Sequence, residues 1–208
     1  MRHLALHTCC APCLIGVYKA LTEELAQESK RITAVFYNPN IAPVEEYIVR
    51  RDACRDYARE QGIDFVEIEA NFTDWEDKES QEQRCQSCYN LRLARIAEWA
   101  HDNDCDTIAT TLSISPWQNL EAIKRAGEKA VSNFPHLHFA AHDFRDYYRE
   151  AQKKAREYAM LLKGQGITTL LVDISDMGVK DVGELSPYKA KQLRKELFGI
   201  QDKQEELF

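Results

Sequence analysis

The chain reads as an α/β protein built on a doubly wound, mostly parallel, Rossmann-like sheet. Three observations predict it. Short β-branched or aromatic runs alternate with longer helical ones, the order that lays strands side by side with helices crossing over them. The composition is that of a folded domain: of 208 residues, 44% are hydrophobic and 29% charged, with only 8 Gly and 6 Pro. Finally, four polar, chemically suggestive turns each come directly after a predicted strand, where open α/β sheets bind their ligands.

Residues 3–7 form a short buried strand that ends in the turn Thr8-Cys9-Cys10-Ala11-Pro12-Cys13. Pro12 suits a first helical turn, and the helix runs to about residue 28. Residues 32–37 are β-branched and aromatic, a strand stopped by Asn38-Pro39-Asn40. A helix over 44–61 follows, closed by Gly62, and then a strand over 64–68. A polar stretch over 71–83 leads to a helix over 87–102, a strand over 107–111 and a helix over 116–132. Residues 136–140 make a fifth strand, followed by a charged helix over 147–163. From Gly164 the texture changes: a sixth strand is expected within 164–178, a basic helix over 186–198 and a polar tail over 202–208. The expected division is an α/β domain over 1–163 that carries the chemistry and an atypical extension over 164–208 of unknown role.

Lys plus Arg is 27 against 34 for Asp plus Glu, a net charge of −7, which argues against wholesale coating of nucleic acid though not against a local basic groove. The longest apolar stretches are too short for a transmembrane helix, and the N-terminus has no signal-like segment, so a soluble, cytoplasmic protein without membrane contact is expected. Seven cysteines in such a compartment do not suggest a disulfide framework. They are clustered: Cys9, Cys10 and Cys13 in one knot, Cys85 and Cys88 in another, with Cys54 and Cys105 alone. Helical i, i+3 spacing puts Cys85 and Cys88 on one face, about 5–6 Å apart at Cβ, where free amides at a helix start and Arg84 would favour thiolates. By spacing, Cys10 and Cys13 with Cys85 and Cys88 make four thiolates, enough for structural zinc or a cubane iron–sulfur cluster. Zinc leaves Cys9 unexplained; a cluster with a further thiol nearby uses more of what is present.

Each candidate has a plainer reading. Cys54 and Cys105 are expected as small buried residues. His7 is either a satisfied strand-end histidine or an acid, and Tyr37 a packed ring or a strand-end catalytic group. Arg50, Arg51, Arg55 and Arg59 read mostly as a solvated helix face. Arg145, Arg149, Lys153, Lys154 and Arg156 begin at the functional edge, yet a solvated face is the commoner outcome there too.

Taken together, Leu6-His7-Thr8-Cys9-Cys10-Ala11-Pro12-Cys13, Phe36-Tyr37-Asn38-Pro39-Asn40-Ile41 with Glu46-Tyr47 and Arg50, Arg84-Cys85 with Cys88-Tyr89 and Arg92, Thr110-Thr111-Leu112 with Ile114-Ser115-Pro116, and Asp143-Phe144-Arg145 occur in that order. This resembles the cobalamin-independent epoxyqueuosine reductases of the QueH type over about residues 3–158. The resemblance implies a fold similar to nucleotide-hydrolase (HUP) and tRNA-thiolation domains, with the Cys-Cys turn in place of a phosphate loop. It implies a 4Fe–4S cluster on Cys9, Cys10, Cys85 and Cys88, with Cys13 a near-cluster thiol or a ligand of an adjacent iron ion. Among the motif residues, Asn38, Asn40, Arg50, Arg92, Thr110 and Thr111 would face substrate or tRNA. Arg145, Arg149 and Lys153 would hold phosphates flanking the modified anticodon base.

The implied reaction removes an epoxide oxygen in the last step of queuosine synthesis, leaving an alkene and water, and needs two electrons that a low-potential cluster supplies singly. His7, Tyr37, Cys13 and Asp143 are the positional candidates for protonating the departing oxygen. The chain departs from the family at one point: the usual Tyr-Cys-Gly-Cys segment, a redox-active pair, is replaced by Ala159-Met160-Leu161-Leu162-Lys163-Gly164-Gln165-Gly166, and no cysteine follows Cys105. An oxidoreductase without that relay needs another electron donor, such as a ferredoxin. Two other classes stay open from sequence: a nucleotide-binding tRNA thiolation or sulfur-transfer enzyme of this fold, and a non-catalytic zinc-binding module.

Overall fold

Strand β1 (Arg2–His7) is apolar on both faces, and that places it in the middle of the sheet. Leu4 and Leu6 point to one side and Ala5 to the other, all buried. In the computed structural model, described over residues 2–24, 30–41, 44–70 and 80–164, five strands form one sheet in the order β3-β2-β1-β4-β5. The neighbours are β2 (Lys30–Phe36), β3 (Asp64–Glu67), β4 (Thr107–Thr110) and the two-residue β5 (His138–Phe139), and every pairing is parallel. All strand ends of one kind therefore lie along one edge. Chain order reverses between β1 and β4, so the crevice beyond their carboxyl ends is the ligand position of this architecture.

The helices are α1 (Ala11–Glu24), α2 (Val44–Gln61), α3 (Gln81–Asp102), α4 (Leu120–Val131) and α5 (Tyr148–Gly164). Helices α1, α2 and α5 pack together, and α3 packs on α4. Period-two alternation sorts the core accordingly. Leu4, Leu6, Ala34, Phe36 and Ala109 join one apolar cluster, and Ala5, Val35, Tyr37 and Ile108 the other. Phe36, fully buried, meets Tyr47 edge-on with centroids 5.2 Å apart. Side chains of this size each stabilise by about 1.5–3 kcal/mol when buried. Helix α5 comes close over α1 because residue 16 is glycine: a Cβ there would lie 2.5 Å from the Ala151 Cβ and 2.4 Å from Ile114 Cδ1. Gly62, at φ +67°, ends α2, with Ile63 N–H donating to Ala58 O at 2.8 Å.

Several boundaries differ from the sequence expectation for identifiable reasons. Helix α3 begins at Gln81 rather than 87, because the Ser80 side chain accepts from Gln83 N and caps it there. Cys85 and Cys88 thus lie in its second turn, and the first-turn free amides expected to favour their thiolates are not beside them. After Thr110 the chain turns into a 3-10 helix (Thr111–Ile114), capped by the Thr110 hydroxyl accepting from Leu112 N. Helix α4 starts at Leu120 rather than 116, capped by Asn119. The expected sixth strand and the helix over 186–198 lie outside the described residues.

Candidate metal centre

The turn after β1 is held from both neighbouring strands. Thr8 N–H donates to Val35 O at 2.9 Å, and Asn38 Nδ2 donates to Thr8 O at 3.0 Å from the β2 side. From the β4 side, the Thr111 hydroxyl accepts from Cys9 N–H at 3.1 Å and donates to Cys9 Sγ at 3.3 Å. Cys10 O accepts from Leu14 N at 3.0 Å in the first turn of α1, which carries Cys13 round beneath the other two. The sulfurs of Cys9, Cys10 and Cys13 lie within 4.8 Å of one another, with Cys9 and Cys10 at 3.8 Å.

Their surroundings divide the three thiols. The Cys10 and Cys13 thiols bonded to Cys9, with the Thr111 hydroxyl, overcome burial and hold Cys9 well below the ordinary thiol range. Cys10, although Cys13 bonds to it, is pushed up to about 12 by its bond to Cys9 and by burial. The bonds to Cys10 and Cys9, together with burial, push Cys13 well up. One thiol held down with two others bonded to it is an arrangement suited to binding a soft metal in exchange for protons. Arg50 faces this charge: burial opposes its ionisation, but Cys10, Glu46 and Cys9 outweigh it and raise its pKa. Its Nη2 lies 2.6 Å from Glu46 Oε1. Cys54, one helical turn beyond Arg50, is fully buried and inert, its thiol raised by burial and by Cys10 and Cys9.

Cys85 packs against the apolar cluster that contains Cys9, and Cys10 and Cys13 pack against the same cluster. Cys88 is raised by burial and by Cys85 and Cys9, and Arg92 opposes this. Cys85 therefore borders the cluster that contains Cys9, and Cys88 feels the Cys9 charge, which brings the second pair toward the switch point between β1 and β4. Arg92 donates to Asn40 Oδ1 through Nε, at 3.0 Å, and through Nη2.

Other expected site residues sit as supports. Asn38, Thr110, Thr111 and Arg92, expected to face substrate or tRNA, are all buried with polar groups turned on the cysteine turn and its neighbours. His7 is wholly enclosed: Nδ1 lies 2.8 Å from the Thr110 hydroxyl and Nε2 3.3 Å from Tyr37 O. A carbonyl only accepts, so Nε2 carries the proton and Nδ1 accepts from Thr110. Burial and the Arg92 charge lower its pKa to about 4, so it is neutral. Tyr37 is buried as well. Asp143, the fourth expected acid, is exposed and paired with Arg145, Nη2 to Oδ2 at 2.5 Å; that bond holds it as a carboxylate with no proton to give. Arg149 and Lys153 are exposed along α5.

Sequence reasoning reads Arg50 from its helix as mostly solvated and from the resemblance as facing substrate or tRNA, and it passes over Gln118, whose Oε1 accepts from the Tyr89 hydroxyl at 2.6 Å. Periodicity signals Arg50 in part, since it lies four residues from Cys54 on one helix face.

A doubly wound α/β sheet with a thiol turn able to hold a metal at its switch point defines a class of metal-thiolate α/β proteins. The family model described as Epoxyqueuosine reductase QueH matches residues 4–163. The chain belongs to that family. It is similar to proteins named Epoxyqueuosine reductase QueH from Acinetobacter baylyi (32% identical over 149 residues, 68% of this chain and 66% of that one) and Histophilus somni (31% over 138 residues, 63% and 55%). Another, from Thermotoga maritima, is 29% identical over 170 residues, 76% of this chain and 83% of that one. The match thus spans just under two thirds of the first of these relatives and about half of the second. A looser likeness is to the U34-tRNA thiolase NcsA from Methanococcus maripaludis with its [4Fe-4S] cluster, at TM-score 0.42 and 16% identity over 60% of this chain and 41% of that one. Among the described residues no helix is long and apolar enough to cross a membrane.

Proposed function

We propose that this chain is an iron–sulfur oxidoreductase that converts epoxyqueuosine to queuosine in tRNA, working in the cytoplasm where tRNA is modified. The observation that carries the reading is the cysteine triad of the β1 turn at the switch point, with Cys85 packed on the cluster that contains Cys9, all within the residues matched by the family model. The donor set fits a cluster: soft thiols, one held well below the ordinary thiol range, with Arg50 and Arg92 beside them to offset thiolate charge. Cys9, Cys10, Cys85 and Cys88 are the ligands we assign, leaving Cys13 beside them for an adjacent iron ion. When bound, the cluster supplies electrons one at a time at low potential.

The reaction breaks two C–O bonds, forms the alkene and water, and consumes two electrons and two protons. The chain's own groups prepare it. Thr111 and Asn38 hold the cysteine turn rigid, and neutral His7 braces β1 against β4 from inside the sheet. With Asp143 ionised and His7 and Tyr37 both buried, half-buried Cys13, as a near-cluster thiol when no adjacent iron holds it, is the group left to deliver a proton. Arg145, in the 3-10 turn before α5, and Arg149 and Lys153 on that helix are assigned to tRNA phosphates.

Without the Tyr-Cys-Gly-Cys relay, electrons come from a one-electron donor of the ferredoxin type. The test is an anaerobic incubation of the iron-loaded chain with tRNA bearing epoxyqueuosine, followed by digestion and nucleoside analysis. Product is expected with reduced ferredoxin or dithionite and none with dithiothreitol alone. Stoichiometric zinc without acid-labile sulfide, after anaerobic reconstitution with iron, would return the chain to the zinc-module reading.

A further inference from the structure

Among the described residues, three large apolar side chains are strongly exposed: Trp117 at 54%, Val44 at 44% and Ile48 at 40%. All three lie along the carboxyl edge of the sheet. Val44 and Ile48 are on the first turns of α2, which follows β2, and Trp117 is in the turn between the 3-10 helix after β4 and α4. The cysteine turn after β1 stands between them in strand order.

The Trp117 turn is stiff. Pro116 sets its first dihedral, Gln118 N–H donates to Ser115 O at 3.2 Å, and Trp117 N–H donates to Ser115 Oγ at 3.4 Å. The Asn119 cap of α4 closes it on one side. On the other, the Tyr89 hydroxyl donates to Gln118 Oε1 at 2.6 Å, tying the turn to the part of α3 that carries Cys85 and Cys88. An indole exposed on this secured turn contributes little to the core, and the turn's neighbour Gln118 is tied to the helix that carries the second thiol pair.

We infer that Trp117 is a stacking platform for the nucleobase next to the one presented to the cysteine turn, a positioning role that rests on the reading of tRNA as substrate. A nucleobase is the occupant the surface fits. Isolated rings and branched chains set among polar residues lack the roughly 800 Å² per partner of a stable protein interface. An unstacked base needs only one flat apolar face, and base–aromatic stacking is indifferent to which base is offered.

The test uses the full chain, reconstituted anaerobically with iron and sulfide, and a fluorescein-labelled anticodon stem-loop RNA followed by anisotropy. Trp117→Ala is expected to weaken binding roughly 5- to 150-fold, the span of about 1–3 kcal/mol of stacking. Iron content, melting temperature and the slope of log affinity against log salt should not move, because a neutral ring releases no counterions. Trp117→Phe is expected to recover most of the loss. Affinity of Trp117→Ala equal to the wild type's, or failure of Trp117→Phe to recover it, overturns the stacking role. So does a loss accompanied by lost iron or a lower melting temperature. A wild-type chain that binds no stem-loop at any salt overturns the tRNA reading itself, and with it this one.

Discussion

His3 and His7 project from the same face of β1, four residues and so about 13 Å apart at a strand rise near 3.3 Å. Each meets a threonine hydroxyl at 2.8 Å, Thr33 for His3 and Thr110 for His7, and each has cysteine close by. At the amino end, His3 Nδ1 lies 3.4 Å from Cys105 Sγ, and His3 N–H donates to Asp106 Oδ2 at 2.9 Å. Cys105 is pushed up to about 11 by burial and by Asp106, whereas Cys9 at the carboxyl end is pulled down. Their partners account for the difference: the neighbouring Cys10 and Cys13 thiols and the Thr111 hydroxyl outweigh burial at Cys9, whereas at Cys105 burial and the Asp106 charge act together. Like residue types form a candidate metal site at one end and a brace at the other.

The largest effects should come from the thiols. Cys9→Ser or Cys85→Ser is expected to lose most of the iron after anaerobic reconstitution, and Cys105→Ser or Cys54→Ser to keep it, measured as iron and sulfide per chain. Equal iron loss in Cys105→Ser would erase the distinction between the two ends.

Next comes acid stability. With its folded-state pKa lowered from 6.5 to about 4, His7 is neutral in both states above 6.5. Below that pH the unfolded chain takes up its proton first, so stability falls as pH drops from 6.5 to 4, by roughly 3 kcal/mol. Urea unfolding across that range is expected to show the loss, and His7→Gln to flatten it. His3, lowered by burial and Arg31, acts in the same direction from the other end.

A smaller change is expected from Thr111→Val, which leaves the buried Cys9 N–H without its acceptor at a cost of about 1–3 kcal/mol. It also removes a hydroxyl that stabilises the Cys9 thiolate, so alkylation of Cys9, followed by mass spectrometry, should begin at higher pH. Cys105 should react as before. The smallest effect is on salt dependence. If α5 reaches phosphates, Arg149→Ala/Lys153→Ala lowers the slope for tRNA binding by about 0.7–0.9 for each phosphate no longer neutralised. An unchanged slope would make that helix a solvated face.

The features legible in the sequence alone are local. Period-two runs such as Leu4-Ala5-Leu6 require a strand apolar on both faces, Pro12 marks a helix entry, and the spacing of Cys10 with Cys13 and of Cys85 with Cys88 puts each pair on one helical turn. Those signals act over a few residues, and the alternation of strand and helix then brings every chemical turn to one edge. The rest depends on how distant segments pack. Thr111 serves Cys9 across 102 positions of sequence because β1 pairs with β4 in the register His7↔Thr110, which no local pattern encodes. Arg50 turns toward sulfur, and Cys54 stays silent beside it, because α1 packs on α2. Helix α3 starts six residues before 87, at a serine cap within a stretch that reads only as polar. Trp117 is exposed because Ser115, Tyr89 and Asn119 secure its turn from three elements. In each case a side chain's environment is set by strand pairing and helix packing in the tertiary structure, and that environment decides whether it braces, binds or reacts.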